Sequence, residues 1–215
     1  MHYYIITGGP LKDVALGAIG EGSVICADGG TDFAAEHSIL PERVVGDLDS
    51  ISENGLSYVK ENNIPVEQYP VEKDWTDTEI ALRGIPEDSE ITIVTPLDGR
   101  LDHVIGTIQT ASEFADRHKR ITITDGITDV YLMIGKDHIN VDISGRKDLA
   151  VSLVPLSFDA GVKGVSTIGL YYSLNGDTLM AGKTFSFCNH PVKSASEFTV
   201  SIESGRLAII VTKAV

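Results

Sequence analysis

Two aspartates separated by one residue follow a short apolar run in the first quarter of the chain. Val44 and Val45 lead into Gly46, after which Asp47 and Asp49 flank a leucine. In an extended segment, side chains at positions i and i+2 leave on the same side of the backbone, so these two carboxylates can converge on one small cation. Carboxylate oxygens are the ligands that Mg²⁺ prefers. An acidic surface turn explains the same residues equally well, and this stretch alone leaves both interpretations open.

A second group of polar residues is centred on Lys73, Asp74 and Asp77. Thr76 and Glu79 have the spacing of a capping box, which predicts that a helix begins here with Asp77 in its first turn. The helix dipole favours a carboxylate at that position, so Asp77 has a structural explanation as well as a functional one. Asp74 lies outside the expected helix and is not needed for the cap. Lys73 supplies a point cation of the kind that phosphate sites use.

A third group combines Gly99, Arg100, Asp102 and His103. Glycine lets the backbone bend or approach a ligand closely. The planar guanidinium of Arg100 suits phosphate oxygens. Asp102 could also serve as the N-cap of a helix, with His103 in the first turn, so each residue alone has an ordinary structural role. An arginine beside a glycine, close to two acidic loops, favours a functional interpretation.

Two glycine pairs, Gly8-Gly9 and Gly29-Gly30, each follow an apolar run. Neither is a Walker loop or a complete dinucleotide fingerprint. Asp28, directly before the second pair, could cap a helix or hold a ligand hydroxyl. Carboxylates, one lysine, one arginine and glycine loops together indicate Mg²⁺-dependent phosphoryl chemistry, in which positioning and charge neutralisation supply most of the catalysis.

The elements that must position these groups alternate between apolar runs and helical patterns. This alternation predicts an α/β fold with a mainly parallel sheet flanked by helices, whose glycine- and aspartate-rich loops gather at one edge. We expect helices near residues 53–62, 77–84 and 103–118, the first begun by a capping box of Ser50 and Glu53. The expected strands are Tyr3–Ile6, Val24–Ala27, Val44–Val45, Ile64–Val71, Ile91–Val94 and Ile121–Thr124.

The helical patterns end at about residue 128, and short strand candidates separated by Gly, Asn and Asp follow. This change predicts a C-terminal all-β domain, an antiparallel sandwich. We therefore expect an α/β domain over residues 1–128 and a β-sandwich domain over residues 129–215. The strand candidates are Asp129–Ile134, Ile139–Ile143, Ala150–Val154, Val162–Ser166, Gly169–Tyr172, Phe198–Glu203 and Leu207–Val211.

The composition argues against several classes of partner. The chain has 31 acidic and 17 basic residues, a formal net charge of −14, and such a surface repels nucleic acid and anionic membranes. The two cysteines, Cys26 and Cys188, do not form a disulfide framework, and a reducing cytoplasm is the expected compartment. The first residues are too short and uncharged for a signal peptide, and no window reaches the length of a membrane span.

Taken together, four segments resemble the thiamine pyrophosphokinase family. The resemblance implies an α/β ATP-binding domain followed by a β-sandwich domain that binds thiamine and forms a homodimer. It also implies transfer of the pyrophosphoryl group of ATP to the hydroxyl of thiamine, with release of AMP. The segments are Ala27-Asp28-Gly29-Gly30, Gly46-Asp47-Leu48-Asp49-Ser50-Ile51, Lys73-Asp74-Trp75-Thr76-Asp77 and Gly99-Arg100-Leu101-Asp102-His103.

The same resemblance implies roles for individual residues. Asp47, Asp49 and Asp77 would hold Mg²⁺ against the triphosphate, and Asp49 or Asp102 would accept the hydroxyl proton. The catalytic residues would be Asp49, Asp77, Arg100 and Asp102. The nucleotide site would include Asp28, Gly29, Lys73, Asp74, Thr76 and His103. The thiamine segment would contribute Ser186, Cys188 and Asn189. Within it Asn189 matches the family, whereas Cys188 and His190 stand where the family usually carries a serine and a glutamate.

Two other functions remain open from the sequence. The segment Asp47–Ile51 is similar to the nucleophile motif of haloacid-dehalogenase-type phosphatases, which would form a covalent aspartyl-phosphate and need no ATP. Those enzymes usually place the motif on the first strand, whereas at least two strands precede it here. The third interpretation is a non-catalytic sensor of nucleotide or thiamine.

Overall fold

The structure, a computed structural model, describes residues 1–214. The chain divides into two compact units, Met1–Gly126 and Ile127–Val215. The first unit alternates strands with helices, and the second contains antiparallel strands. The fold class expected from the sequence, an α/β region with a mainly parallel sheet and then an antiparallel all-β region, is confirmed.

The first unit is built on a parallel sheet. Its strands are β1 (His2–Thr7), β2 (Ser23–Ala27), β3 (Arg43–Gly46), β4 (Val66–Gln68), β5 (Glu90–Val94) and β6 (Arg120–Thr124). They lie in the order β4-β3-β2-β1-β5-β6, and each neighbouring pair is parallel. All carboxyl ends therefore meet at one edge of the sheet, where ligands bind in open α/β sheets.

Four α-helices connect these strands. They are α1 (Gly30–Glu36), α2 (Glu53–Glu61), α3 (Asp77–Arg83) and α4 (Leu101–Phe114). Thr76 caps α3 as expected, because its hydroxyl accepts a hydrogen bond from the Glu79 amide at 3.2 Å. The capping box at Ser50 was wrong: the N-cap of α2 is Ser52, whose hydroxyl accepts from the Gly55 amide. Asp102 is likewise not an N-cap, since α4 already begins after Arg100.

Both faces of this sheet are buried. Tyr4, Ile6 and Cys26 belong to one apolar cluster with Phe33 of α1. The intervening Ile5 is fully buried as well. Side chains that alternate along a strand point to opposite faces, so continuous burial along β1 means that the sheet is covered on both sides, as parallel sheets are.

The second unit contains two groups of antiparallel strands. The strands are β7 (Asp129–Ile134), β8 (Asp137–Asp142), β9 (Leu149–Pro155), β10 (Val162–Ile168), β11 (Asp177–Leu179), β12 (Glu197–Ile202) and β13 (Arg206–Lys213). Strand β13 pairs with β7 and β9, and the other four lie in the order β11-β10-β12-β8. Fully buried Leu153, Phe198 and Leu207 belong to a single apolar core.

Two strand predictions differ from the structure. Gly169–Tyr172 is not a strand; within it Leu170 makes an isolated bridge to Pro191, and both tyrosines are exposed. The expected strand Ile64–Val71 is paired over Val66–Gln68 alone, because prolines on both sides lack the N–H that a ladder requires. Within residues 1–214, none of the helices has the length and apolar character needed to cross a membrane.

Candidate active site

The carboxyl ends of β1, β2, β3 and β5 border a cleft of about 830 Å³ in the first unit. Of the catalytic, nucleotide-binding and metal-binding residues predicted in this unit, Asp74 alone is absent from its lining. The lining includes Asp28, Gly29, Asp47, Asp49, Lys73, Thr76, Asp77, Arg100, Asp102 and His103. The structure thus brings residues from four separate loops to one concave surface.

Three carboxylates form the acidic centre of the cleft. Asp28, Asp47 and Asp49 each offer an oxygen, and these atoms all lie within 4.8 Å of one another. The Asp28 side chain is almost completely buried, and its Oδ1 has no hydrogen-bond partner within residues 1–214. A buried carboxylate oxygen without a donor is costly unless a cation or ligand satisfies it. This donor set fits a hard divalent cation such as Mg²⁺.

The backbone around Gly46 allows the carboxylates to approach one another. Gly46 has φ of +143°, and a Cβ there would lie 3.0 Å from Asp28 Cβ and 3.2 Å from Asp77 Cγ. Leu48, between the two aspartates of the loop, also has positive φ, at 70°. A side chain at position 46 would therefore push apart the acidic groups that the loop gathers.

Lys73 links the acidic centre to Asp77. Its Nζ donates a hydrogen bond to Asp47 Oδ2 at 2.7 Å and lies 3.3 Å from Asp77 Oδ1. The hydrogen bond from Lys73 lowers the pKa of Asp47. Burial raises the pKa of Asp77, and Lys73 offsets this effect only in part. Burial alone would lower the pKa of Lys73, but its two acidic neighbours raise it overall.

Arg100 and Asp102 form a second charged pair on the cleft. Arg100 donates from Nη2 to Asp102 Oδ2 at 2.6 Å and from Nε to Oδ1 at 3.2 Å. The hydrogen bonds from Arg100 lower the pKa of Asp102 to about 2. Both side chains are well exposed, so the pair is held weakly and Arg100 can turn toward an anionic ligand.

Asp32, in the first turn of α1, is a lining residue that the sequence did not indicate. Its carboxylate accepts hydrogen bonds from the Ser52 hydroxyl at 2.7 Å and from the Ser52 amide at 3.0 Å. Ser52 in turn caps α2. Asp32 therefore anchors the end of the loop that carries Asp47 and Asp49. In the sequence, the one indication of this role was an acidic residue in the first helical turn after a glycine pair. The helix dipole alone also favours an acidic residue at that position.

The other candidate residues of the first unit have roles or positions in the local structure. Gly29 is the N-cap of α1, and a Cβ on Gly8 would lie 3.2 Å from Gly29 Cα, so the two glycine loops pack backbone to backbone. His103 lies in the first turn of α4. The Thr76 hydroxyl is engaged by the cap of α3.

The second unit contains the residues expected to contact thiamine. Buried Ser186 donates to the Leu153 carbonyl at 2.6 Å. Buried Asn189 donates to the Tyr172 carbonyl at 2.7 Å, and its Oδ1 accepts from the Tyr172 and His190 amides. These side chains connect their segment to β9 and to Tyr172. Cys188 is exposed, with φ of 54°, and its amide donates to the Ser152 hydroxyl.

The fold and the acidic cleft indicate an enzyme of the α/β class, and comparison with protein families identifies which one. Residues 20–124 match the model described as "Thiamin pyrophosphokinase, catalytic domain". Residues 138–207 match "Thiamin pyrophosphokinase, vitamin B1 binding domain". The two models together span most of the chain, and the protein belongs to the thiamine pyrophosphokinase family.

Individual relatives support the same assignment. The chain is 28% identical over 184 residues to the thiamine pyrophosphokinase of Bacillus subtilis (strain 168), covering 81% of each protein. The crystal structure of a Bacillus subtilis thiamine pyrophosphokinase superposes with a TM-score of 0.82 at 25% identity over 100% of both chains. That of the Geobacillus thermodenitrificans enzyme gives a TM-score of 0.78 at 28% identity, covering 99% of this chain and 98% of the other.

The family and enzyme class predicted from the four segments are confirmed by these matches. The phosphatase interpretation is not favoured. Its motif would have to lie on the first strand, whereas Asp47 follows β3, with β1 and β2 before it in the chain.

Proposed function

We propose that this protein transfers the pyrophosphoryl group of ATP to the hydroxyl of thiamine in an Mg²⁺-dependent reaction. The hydroxyl oxygen of thiamine attacks the β-phosphorus of ATP, the bond from that phosphorus to the α–β bridging oxygen breaks, and AMP leaves with that oxygen. The observation that carries the proposal is the acidic centre of Asp28, Asp47 and Asp49, which shares one cleft with Lys73 and Arg100. Triphosphate chemistry needs this combination of cation ligands and fixed positive charge.

The cation site is the first part of the proposal. Asp47, Asp49 and Asp77 are the Mg²⁺ ligands that the family resemblance implies, and the gathered oxygens support adding Asp28. A bound Mg²⁺ would neutralise the triphosphate charge that otherwise repels an attacking oxygen. Asp77 Oδ1 is buried, within 3.3 Å of Lys73 Nζ, so this carboxylate is held close to the centre.

The proton acceptor is either Asp49 or Asp102. Asp102 is paired with Arg100, and this pairing makes it the poorer base in the observed conformation. We therefore favour Asp49 as the acceptor of the thiamine hydroxyl proton, and Arg100, still paired with Asp102, would hold phosphate oxygens through its remaining N–H groups. Arginine suits this role because its planar fork can contact two oxygens at once.

The nucleotide would lie along the same surface. Asp28, Gly29, Lys73, Thr76 and His103 line the cleft, which is consistent with contacts to ATP, whereas Asp74 lies outside the lining. We propose that the first unit, residues 1–128 in the sequence division, binds ATP. Residues 129–215 would bind thiamine and form a homodimer.

Exposed aromatic side chains support the proposed dimer. Tyr171, Tyr172 and Phe185 are each at least 61% exposed in the second unit, and Phe187 is 40% exposed. Clustered aromatic surface marks contact with a partner more often than an isolated exposed residue does. Light scattering is expected to give twice the monomer mass, and a monomer would contradict the proposal. A cytoplasmic location is consistent with the two free cysteines.

The reaction itself is tested by product analysis. Incubation with ATP, Mg²⁺ and thiamine should yield AMP and thiamine diphosphate in equal amounts, and a chelator should stop the reaction. Formation of ADP would contradict pyrophosphoryl transfer. Calorimetry that showed tight binding of ATP and thiamine without turnover would instead support the non-catalytic sensor.

A further inference from the structure

Trp75 is the single tryptophan of the chain, and it lines the same cleft as the acidic centre. Its side chain is 44% exposed. Val71, which is 67% exposed, also lines the cleft. These two residues give an otherwise charged stretch of the lining an apolar surface. The carboxylates and cations of the cleft can bind metal and phosphate, but binding of these ions does not explain the apolar surface.

The indole ring is held by residues of α3. The Arg83 guanidinium lies over it, 4.6 Å from the ring centroid. Arg83 is fixed in turn by Glu79, to which it donates hydrogen bonds from Nη2 at 2.7 Å and from Nε at 3.1 Å. A cation over an indole is attracted by the ring quadrupole. The ring is thus oriented by a residue of the helix that follows it before any ligand arrives.

The chain on either side of Trp75 is also fixed. Lys73 is held by Asp47 and Asp77, and Thr76 caps α3. An exposed aromatic ring on a restrained backbone loses little entropy when a ligand packs against it.

We propose that Trp75 is a stacking platform for the flat aminopyrimidine ring of a substrate. This inference rests on the proposed function, in which both substrates carry such a ring: the adenine of ATP and the pyrimidine of thiamine. Aromatic side chains stack well on heterocyclic bases. The charged thiazolium ring of thiamine is a poorer partner, because Arg83 already places a positive charge against the indole.

Intrinsic fluorescence tests the contact without turnover, since Trp75 is the only tryptophan emitter. The protein with Mg²⁺ is titrated separately with thiamine and with an ATP analogue carrying a methylene bridge between the α- and β-phosphates. Stacking predicts a saturable change in tryptophan emission with one of the two, and that ligand identifies the ring. No change with either ligand would overturn the proposal.

Steady-state kinetics give an independent readout. Trp75→Ala should raise KM roughly tenfold for the stacked substrate alone, equivalent to about 1.4 kcal/mol, and leave kcat unchanged. Trp75→Phe should restore most of the affinity because it keeps an aromatic face. Leu40→Ala is the matched control, since Leu40 is 63% exposed in the same unit but does not line the cleft. An unchanged KM for both substrates in Trp75→Ala would contradict stacking.

The outcomes separate this inference from the proposed function. Saturable fluorescence changes in a protein that forms no AMP would overturn the pyrophosphoryl transfer and still support the platform. AMP formation without any fluorescence response would support the transfer and overturn the platform.

Discussion

The cleft of the first unit and the Ser186–Asn189 segment of the second both carry polar side chains expected to bind substrate, but their hydrogen bonding differs. In the cleft, Asp28 Oδ1 is buried without a hydrogen-bond partner within residues 1–214, and Asp49 is exposed. In the second unit, each polar group of the Asn189 side chain bonds to backbone of the same unit, at Tyr172 or His190. A ligand-binding group must leave bonding capacity open, whereas a structural group uses it internally. We therefore propose that the chemistry takes place in the cleft and that Ser186 and Asn189 shape the second unit around their segment.

The largest effect is expected from a substitution in the cleft. Asp49→Asn removes one charge from the acidic centre, and turnover should fall on the order of 100-fold or more while the circular dichroism spectrum stays unchanged. Glu61→Gln is the matched control, because Glu61 is an exposed carboxylate of the same unit outside the cleft. Wild-type activity in Asp49→Asn would contradict the metal assignment.

Asn189→Ala tests whether Asn189 of the second unit has a structural role. It removes three hydrogen bonds and leaves partly buried backbone groups unpaired, so the free energy of unfolding should fall by about 2 kcal/mol. Urea denaturation followed by circular dichroism measures the loss. Asn175→Ala, at an exposed asparagine of the same unit, should change stability by less than about 0.5 kcal/mol. A stable Asn189→Ala variant with a raised KM for thiamine would instead show a binding role.

Asp32→Ala should give a smaller effect that combines stability and function. The loss of the bonds to Ser52 should lower the free energy of unfolding by about 1 kcal/mol. The Mg²⁺ concentration for half-maximal activity should rise, because the loop of Asp47 and Asp49 loses its anchor. Asp32→Asn keeps an acceptor oxygen and should retain most of the wild-type behaviour. An unchanged Mg²⁺ requirement in Asp32→Ala would restrict Asp32 to a structural role.

The smallest expected effect is a gain in stability. Burial raises the pKa of Asp77, so the folded protein binds this proton more tightly than the unfolded chain does. The stabilisation from this group is present below the pKa of the unfolded chain and is lost as the pH rises through the folded pKa. Asp77→Asn should therefore raise Tm slightly at neutral pH but not at about pH 3, while activity falls. Thermal unfolding at the two pH values measures the difference, and a lower Tm at neutral pH would contradict it.

The sequence predicted the parallel sheet and the gathering of its loops because apolar runs and capping residues are local signals. Thr76 is one example, since its cap depends on residues three positions apart. Asp28 and Asp32 were harder to assign, because their roles depend on Asp47 and Ser52, which are distant in sequence and meet only in the folded sheet. Gly169–Tyr172 was predicted as a strand because it lies among short segments separated by Gly, Asn and Asp, but its tyrosines are exposed and the segment lacks a continuous partner strand. A residue type that favours strands does not form one where its side chain has no buried surface to pack against.

Lys73 affects how the newly made chain folds. Asp47 and Asp77 are mostly shielded from water, and without a nearby cation their like charges would oppose closure of the loops. The Lys73 ammonium is a covalently attached counterion that accompanies these carboxylates from synthesis onward. The newly made chain can therefore complete its fold in a compartment where free metal is scarce, unlike small domains that fold only around a metal. Under the proposed Mg²⁺ requirement, metal supply would limit the activity of the enzyme and not its folding.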